Sequence, residues 1–159
     1  MQLIDDEVIL RIFHHHITPF LYWLFKVIIV YVVIFLLVYL FQDVFSSGVF
    51  VGLHLLLIIS FAIIMFYKSV VYWLDKLYVT NRRVIYVNWI SIFTRKESEA
   101  MLSDIQDIQT REQGMISYFK FFDYGTFTLE TAATKITMTF EQASDPEGIR
   151  QYIYHIRPQ

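Results

Sequence analysis

Four groups of residues have the types and spacing to do chemistry. The run His14-His15-His16 offers three imidazoles, side chains that ligate metals and titrate near neutral pH. Two histidines that share a metal from one helix need i, i+3 or i, i+4 spacing, because consecutive helical residues point about 100° apart. No Asp, Glu or Cys completes a ligand set in the same turn. The run therefore reads as an interfacial segment or a pH-responsive surface, and no metal site is expected. His54 is a lone ionisable residue in an apolar run, by default a transport or relay candidate. Close to the end of that run, a neutral imidazole bonded to a neighbouring helix costs little, and that reading is preferred. Asp104 and Asp107 flank Ile105 in a strand-like segment and read as a solvated surface.

The basic residues Lys76, Arg82, Arg83, Arg95 and Lys96 form the fourth group. Guanidinium groups meet phosphate bidentately, and each cation near an anionic leaflet gains about 1 kcal/mol. Against this, residues 68–159 hold eleven basic and eleven acidic side chains, and Glu97 and Glu99 stand ready to pair with the bases. The formal charge of the whole chain is −2, which removes the non-specific phosphate attraction of nucleic-acid binders. With no cysteine there is no disulfide, thiolate zinc site or cysteine nucleophile. No Gly-x-Ser-x-Gly elbow or phosphate-cradling glycine loop is present, and no cofactor is implied.

The elements that position these residues fall into two kinds. Hydrophobic residues make up 56% of the chain's 159 residues, more than a soluble domain carries. The excess lies in two runs, about 20–41 and 49–67, the first with Lys26 as its only charge. Twenty-two helical residues reach roughly 33 Å, enough to cross a hydrocarbon core of about 30 Å. Residues 42–48 between them form a polar turn without Lys or Arg. The outer flanks carry Arg11, Lys26, Lys68, Lys76, Arg82 and Arg83. By the positive-inside rule the turn faces out and both termini face the cytoplasm. The first run is too long for a signal peptide's core and lacks a small-residue cleavage pattern, so the N-terminus is expected to stay in the mature protein. Residues 1–19 are then a cytoplasmic juxtamembrane segment, 20–67 a two-span hairpin, and 68–159 a cytoplasmic domain.

After Lys68 the pattern alternates. Thr126–Thr131 and Lys135–Glu141 have period two, facing Phe127, Leu129, Ile136, Met138 and Phe140 to a core, with Ala132-Ala133-Thr134 as their connection. Trp73–Thr80 and Arg83–Trp89 read as a hairpin about Asn81-Arg82. Thr94–Leu102, Ile105–Glu112 and a piece near Tyr118–Phe122 supply further strands. A helix closes the chain, with Asp145 as N-cap, Pro146 at the first position and Ile149, Tyr152, Ile153 and Ile156 on one stripe. About seven strands and a covering helix make a small α+β domain.

The succession Tyr78–Tyr86, Thr94–Glu99, Leu102–Ile108, Asp123–Thr126, Glu130–Ala132 and Asp145–Glu147 resembles the bacterial pleckstrin-homology-like family with two leading spans. Family members usually carry a glycine in the turn between their second and third strands, where this chain has Asn88-Trp89-Ile90-Ser91. The resemblance implies a seven-stranded, partly closed β-barrel capped by one C-terminal helix behind a transmembrane hairpin in a prokaryotic inner membrane. It implies no enzymatic activity. The expected role is a membrane-anchored interaction or scaffolding module that binds a protein partner or itself. The competing role is a sensor of anionic lipid headgroups.

Overall fold

The computed structural model describes residues 4–112, 124–131 and 137–157. The chain divides into two units, residues 1–18 with 71–159, and residues 19–70.

The smaller unit is the body of a helical hairpin. Helix α1 spans Ile17–Leu40 and α2 spans Ser47–Leu74, joined through a short 3-10 turn at Gln42–Val44. Both helices are long and apolar enough to cross a membrane, and neither has a buried residue. Apolar side chains that stay unburied along their whole length suit a lipid solvent. The Tyr31 hydroxyl meets Ser60 Oγ at 3.0 Å, and Tyr31 packs edge-on to Phe61. Lys26 Nζ lies 4.2 Å from the Tyr22 ring centroid.

The larger unit is a small barrel. Strands β1 (Ile9–His14), β2 (Lys76–Thr80), β3 (Arg83–Ser91) and β4 (Thr94–Met101) form an antiparallel sheet in that order. Strands β5 (Ile105–Glu112), β6 (Tyr124–Thr131) and β7 (Thr137–Ser144) form a second one. A 3-10 turn at Leu102–Asp104 leads from one sheet to the other. At the opposite corner His15 bridges to Ala143, and His16 N donates to Gln142 O at 2.8 Å. Helix α3 (Pro146–Ile156) packs on β5 and β6 with Ile149 and Ile153 fully buried. The shared core includes Leu77, Val79, Val84, Leu102, Ile108, Phe127, Leu129, Met138 and Phe140. Tyr86 meets Phe140 edge-on across the two sheets at 5.2 Å.

The inward-facing residues of β6 and β7 are those the period-two pattern predicts, except Ile136, which lies outside the described residues. The expected strand near Tyr118–Phe122 and the connection Ala132–Thr134 lie outside them too. The α3 cap forms as expected: Asp145 accepts from Gly148 N at 2.8 Å, with Pro146 at the helix start.

Three boundaries differ from the sequence reading. The segment read as a juxtamembrane stretch contains β1, which pairs with β2 from Ile9↔Thr80 to His14↔Lys76. Its residues show no clean alternation, so only the long-range pairing marks it as a strand. Trp73 and Leu74, read as strand, end α2. No helix breaker precedes Asp75, whose N–H still bonds to Val71 O at 3.2 Å. The turn read at Asn88–Ser91 is instead the last stretch of β3, and the chain reverses at Ile92-Phe93. The β-branched and aromatic residues there favour strand over turn.

Candidate functional site

The five basic residues divide between the two ends of the first sheet. Arg82 and Arg83 sit at the β2–β3 turn. Lys76, Arg95 and Lys96 lie towards the other end, with Lys76 opposite Val87, Arg95 opposite Trp89 and Lys96 opposite Asn88. Trp89 lies six positions after Arg83 along β3, roughly 20 Å at 3.3 Å per residue. No single phosphate is reached by both sets.

Arg83 is also committed to the fold. Only 7% of it is exposed. Its Nε and Nη2 donate to the Glu7 carboxylate at 2.8 Å each, and Nη1 donates to Glu99. Glu7 is itself buried. It accepts from the Thr80 hydroxyl at 2.8 Å and from Ile4 N at 2.9 Å. Hydrogen bonds from Arg83 hold the Glu7 carboxyl down at about 2, and the Glu7 carboxylate in turn pushes the Arg83 guanidinium up. Arg82 is exposed. Arg95 pairs with Glu97 at 3.1 Å and lies 5.9 Å from the Trp89 ring centroid. Lys96 is exposed.

The histidine run does not act as one group. His14 is at the end of β1, where partial burial and then the Lys76 charge push its imidazole below the usual value. His15 lies 2.7 Å from Glu141 O through Nδ1 and 3.5 Å from Asp75 Oδ2 through Nε2, with its ring 4.6 Å from Phe140. A carbonyl only accepts, so Nδ1 carries a proton. His16 accepts from Thr18 N at 3.2 Å and stacks on Tyr124. Along an extended backbone the rings diverge, and among the described residues no three potential ligands gather. His54 bonds back to Phe50 O at 2.9 Å and packs on Phe50 and Phe35. Its Nδ1 is satisfied within its own helix turn.

A cleft of about 330 Å³ opens beside His15, lined by Tyr72, Asp75, Tyr86, Asn88, Glu141 and Gln142 among others. The Tyr72 hydroxyl donates to His15 O at 2.9 Å, and Asp75 accepts from Trp89 N. Burial first, then the charges of Asp75 and Glu141, push the Tyr86 phenol well above its usual value, so it stays a proton donor. The carboxylates outweigh the one imidazole. This surface suits a hydroxyl-rich or cationic group better than a phosphate. Sequence reasoning missed Glu7, Asp75, Tyr86 and Glu141. Each meets its partner across a separation that no local pattern reports, 76 positions for Glu7 and Arg83.

Among the described residues, a four-stranded sheet and a three-stranded sheet, sealed by a C-terminal helix and joined to two long apolar helices, define a pleckstrin-homology-like protein. The family model for the bacterial PH domain matches residues 20–157, and the chain belongs to that family. Among solved structures, a DUF1696-family protein with a pleckstrin-homology domain from Shewanella loihica is similar over 53% of this chain and 71% of its own. The identity is 16% and the TM-score 0.41. No curated protein matches the chain.

Proposed function

We propose that the chain is a non-enzymatic interaction module tethered to the cytoplasmic face of a prokaryotic inner membrane. The helices α1 and α2 act as spans with the 42–48 turn outside, and both termini lie in the cytoplasm. The barrel, residues 1–18 with 71–159, is the working part, and its ligand is a protein partner or a second copy.

The observation that carries this reading is the commitment of Arg83 to the fold. Arg83 is buried against Glu7 and Glu99, and Arg95 pairs with Glu97. The Arg83 guanidinium, which could otherwise meet a phosphate at the β2–β3 turn, instead joins β3 to β4 and to the N-terminal segment. Strands β4 and β5 each pair with one neighbour among the described residues, β3 and β6 respectively. Exposed polar strand edges are places where a partner's strand adds. The charges along β4 deter indiscriminate pairing, which favours a selected partner.

Photo-crosslinking side chains at Ser98 on β4 and Gln109 on β5, in the full-length protein in its native membrane, test the reading. The expected result is a discrete protein adduct at one edge, unchanged by Arg82→Ala. Lipid adducts alone, lost on Arg82→Ala, would favour the headgroup sensor instead.

A further inference from the structure

The β3–β4 hairpin carries apolar side chains where turn chemistry calls for glycine, asparagine or aspartate. Two-residue hairpin loops favour positive φ at one or both central residues. Here the loop is Ile92-Phe93 between Ser91 and Thr94, and neither residue has positive φ. Phe93 is 95% exposed and Ile90 65%. Neither joins the core of the barrel. Burial in the barrel therefore does not explain these choices.

Register locates the tip. Lys76, the first residue of β2, pairs with Val87, so Asn88–Ser91 run on past the start of β2. Four residues extend the hairpin by roughly 13 Å. The chain leaves for both apolar helices from this same end of the sheet. β1 finishes at His14 opposite Lys76, α1 starts at Ile17, and α2 stops at Leu74. Arg95 and Lys96, both exposed, stand at the base of the tip, with Trp89 beside Arg95. An apolar tip backed by an indole and two cations matches the layering of a bilayer surface, with acyl chains within and anionic headgroups above them.

We propose that Ile90, Ile92 and Phe93 enter the bilayer surface as a third point of membrane attachment, with Arg95 and Lys96 meeting anionic headgroups. The proposal rests on the reading of α1 and α2 as spans, but not on the identity of the barrel's partner. Two covalent connections already keep this end of the sheet near lipid, so insertion costs little further entropy of association. A third contact would stop the barrel pivoting about its tethers and fix which strand edges face the cytoplasm.

The chain lacks cysteine, so Phe93→Cys and Met101→Cys each provide a single labelling site in the full-length protein. Met101 is exposed and apolar but lies opposite Arg83, at the far end of the sheet. Each variant carries an environment-sensitive fluorophore and is reconstituted into vesicles of phosphatidylcholine with phosphatidylglycerol. The label at position 93 is expected to shift to the blue, resist a water-soluble quencher and be quenched by spin-labelled lipid. The label at 101 should do the reverse. Arg95→Glu with Lys96→Glu, added to the Phe93→Cys chain, should abolish most of the lipid quenching. Equal aqueous quenching at both positions would overturn the proposal. So would protection at 93 that fades as the protein is diluted into lipid, which would assign the tip to a second copy. Vesicle flotation tests the spans separately: a chain that does not float at all refutes the spans, and the proposal with them.

Discussion

Glu7 and Arg83 form a buried, doubly hydrogen-bonded pair, and the cost of desolvating both charges makes the loss of either one severe. In a soluble barrel with residues 1–16 joined to 72–159, Glu7→Gln should lower unfolding stability by about 3 kcal/mol by urea titration, the lower end for a broken buried pair because Glu99 remains. The pH dependence has a definite sign. The Glu7 carboxyl is held near 2 in the folded state against an ordinary 4.5. Its contribution is therefore complete above about pH 5 and is lost as pH falls towards 2, because the unfolded chain takes up the proton first. Across that window the wild-type barrel should lose more stability than Glu7→Gln. In the core, Phe140 is fully buried and Thr128 half-buried on the other face of β6. Phe140→Ala should cost about 3–5 kcal/mol and Thr128→Ala under about 0.5 kcal/mol. Equal shifts in thermal midpoint would refute the strand facing.

At the scale of elements, β5 and β6 approach closely at Gly125, next to an irregularity in the pairing of β6 with β7. A Cβ built there would lie 2.4 Å from Arg111 O, a backbone atom that cannot swing aside. Gly125→Ala should therefore destabilise the barrel by about 1–3 kcal/mol, as overpacking does, measured by the same titration. At Gly148 the close neighbour is a side chain: a Cβ would lie 2.1 Å from the Asp145 carboxylate, which could swing aside only by giving up its cap on α3. Strand β1 depends on its neighbours in a different way. Phe13 packs edge-on to Tyr152 of α3, and the Arg11 guanidinium lies 5.0 Å from the Phe13 ring and 5.2 Å from the Tyr152 ring. These contacts tie the first strand of the barrel to its last helix.

For the molecule as a whole, the order of elements has a direct consequence. The two apolar helices are inserted between the first and second strands of one sheet. A fragment beginning at Trp73 would keep six of the seven described strands but lose β1. It would leave the edge of β2 unpaired and Arg83 buried without Glu7. Such a fragment should be aggregation-prone and melt at lower temperature than the barrel relinked from 1–16 to 72–159, or fail to fold. Equal melting temperatures would show that β1 contributes nothing. For the orientation of the spans, cysteine at Ser47 should react with an impermeant reagent in whole cells and cysteine at Gln159 should not. Reversed labelling would overturn the cytoplasmic placement of the barrel.

Local patterns determined much of this protein. Long apolar runs, period-two alternation in Thr126–Thr131 and an Asp-Pro start to a helical stripe each act over one element, and each reads directly from neighbouring residues. The family resemblance rests on motifs of the same short range. Tertiary structure alone decided what the charges do. Five basic residues within 21 positions read as one cluster, yet strand geometry sends them to two ends of a sheet and the N-terminal segment supplies the carboxylate that takes Arg83. Strand β1 became visible only through its pairing with β2, across 62 residues from His14 to Lys76. Propensity and periodicity are properties of adjacent residues. Pairing register and the partner of a buried charge are set by residues that meet only after the chain has folded.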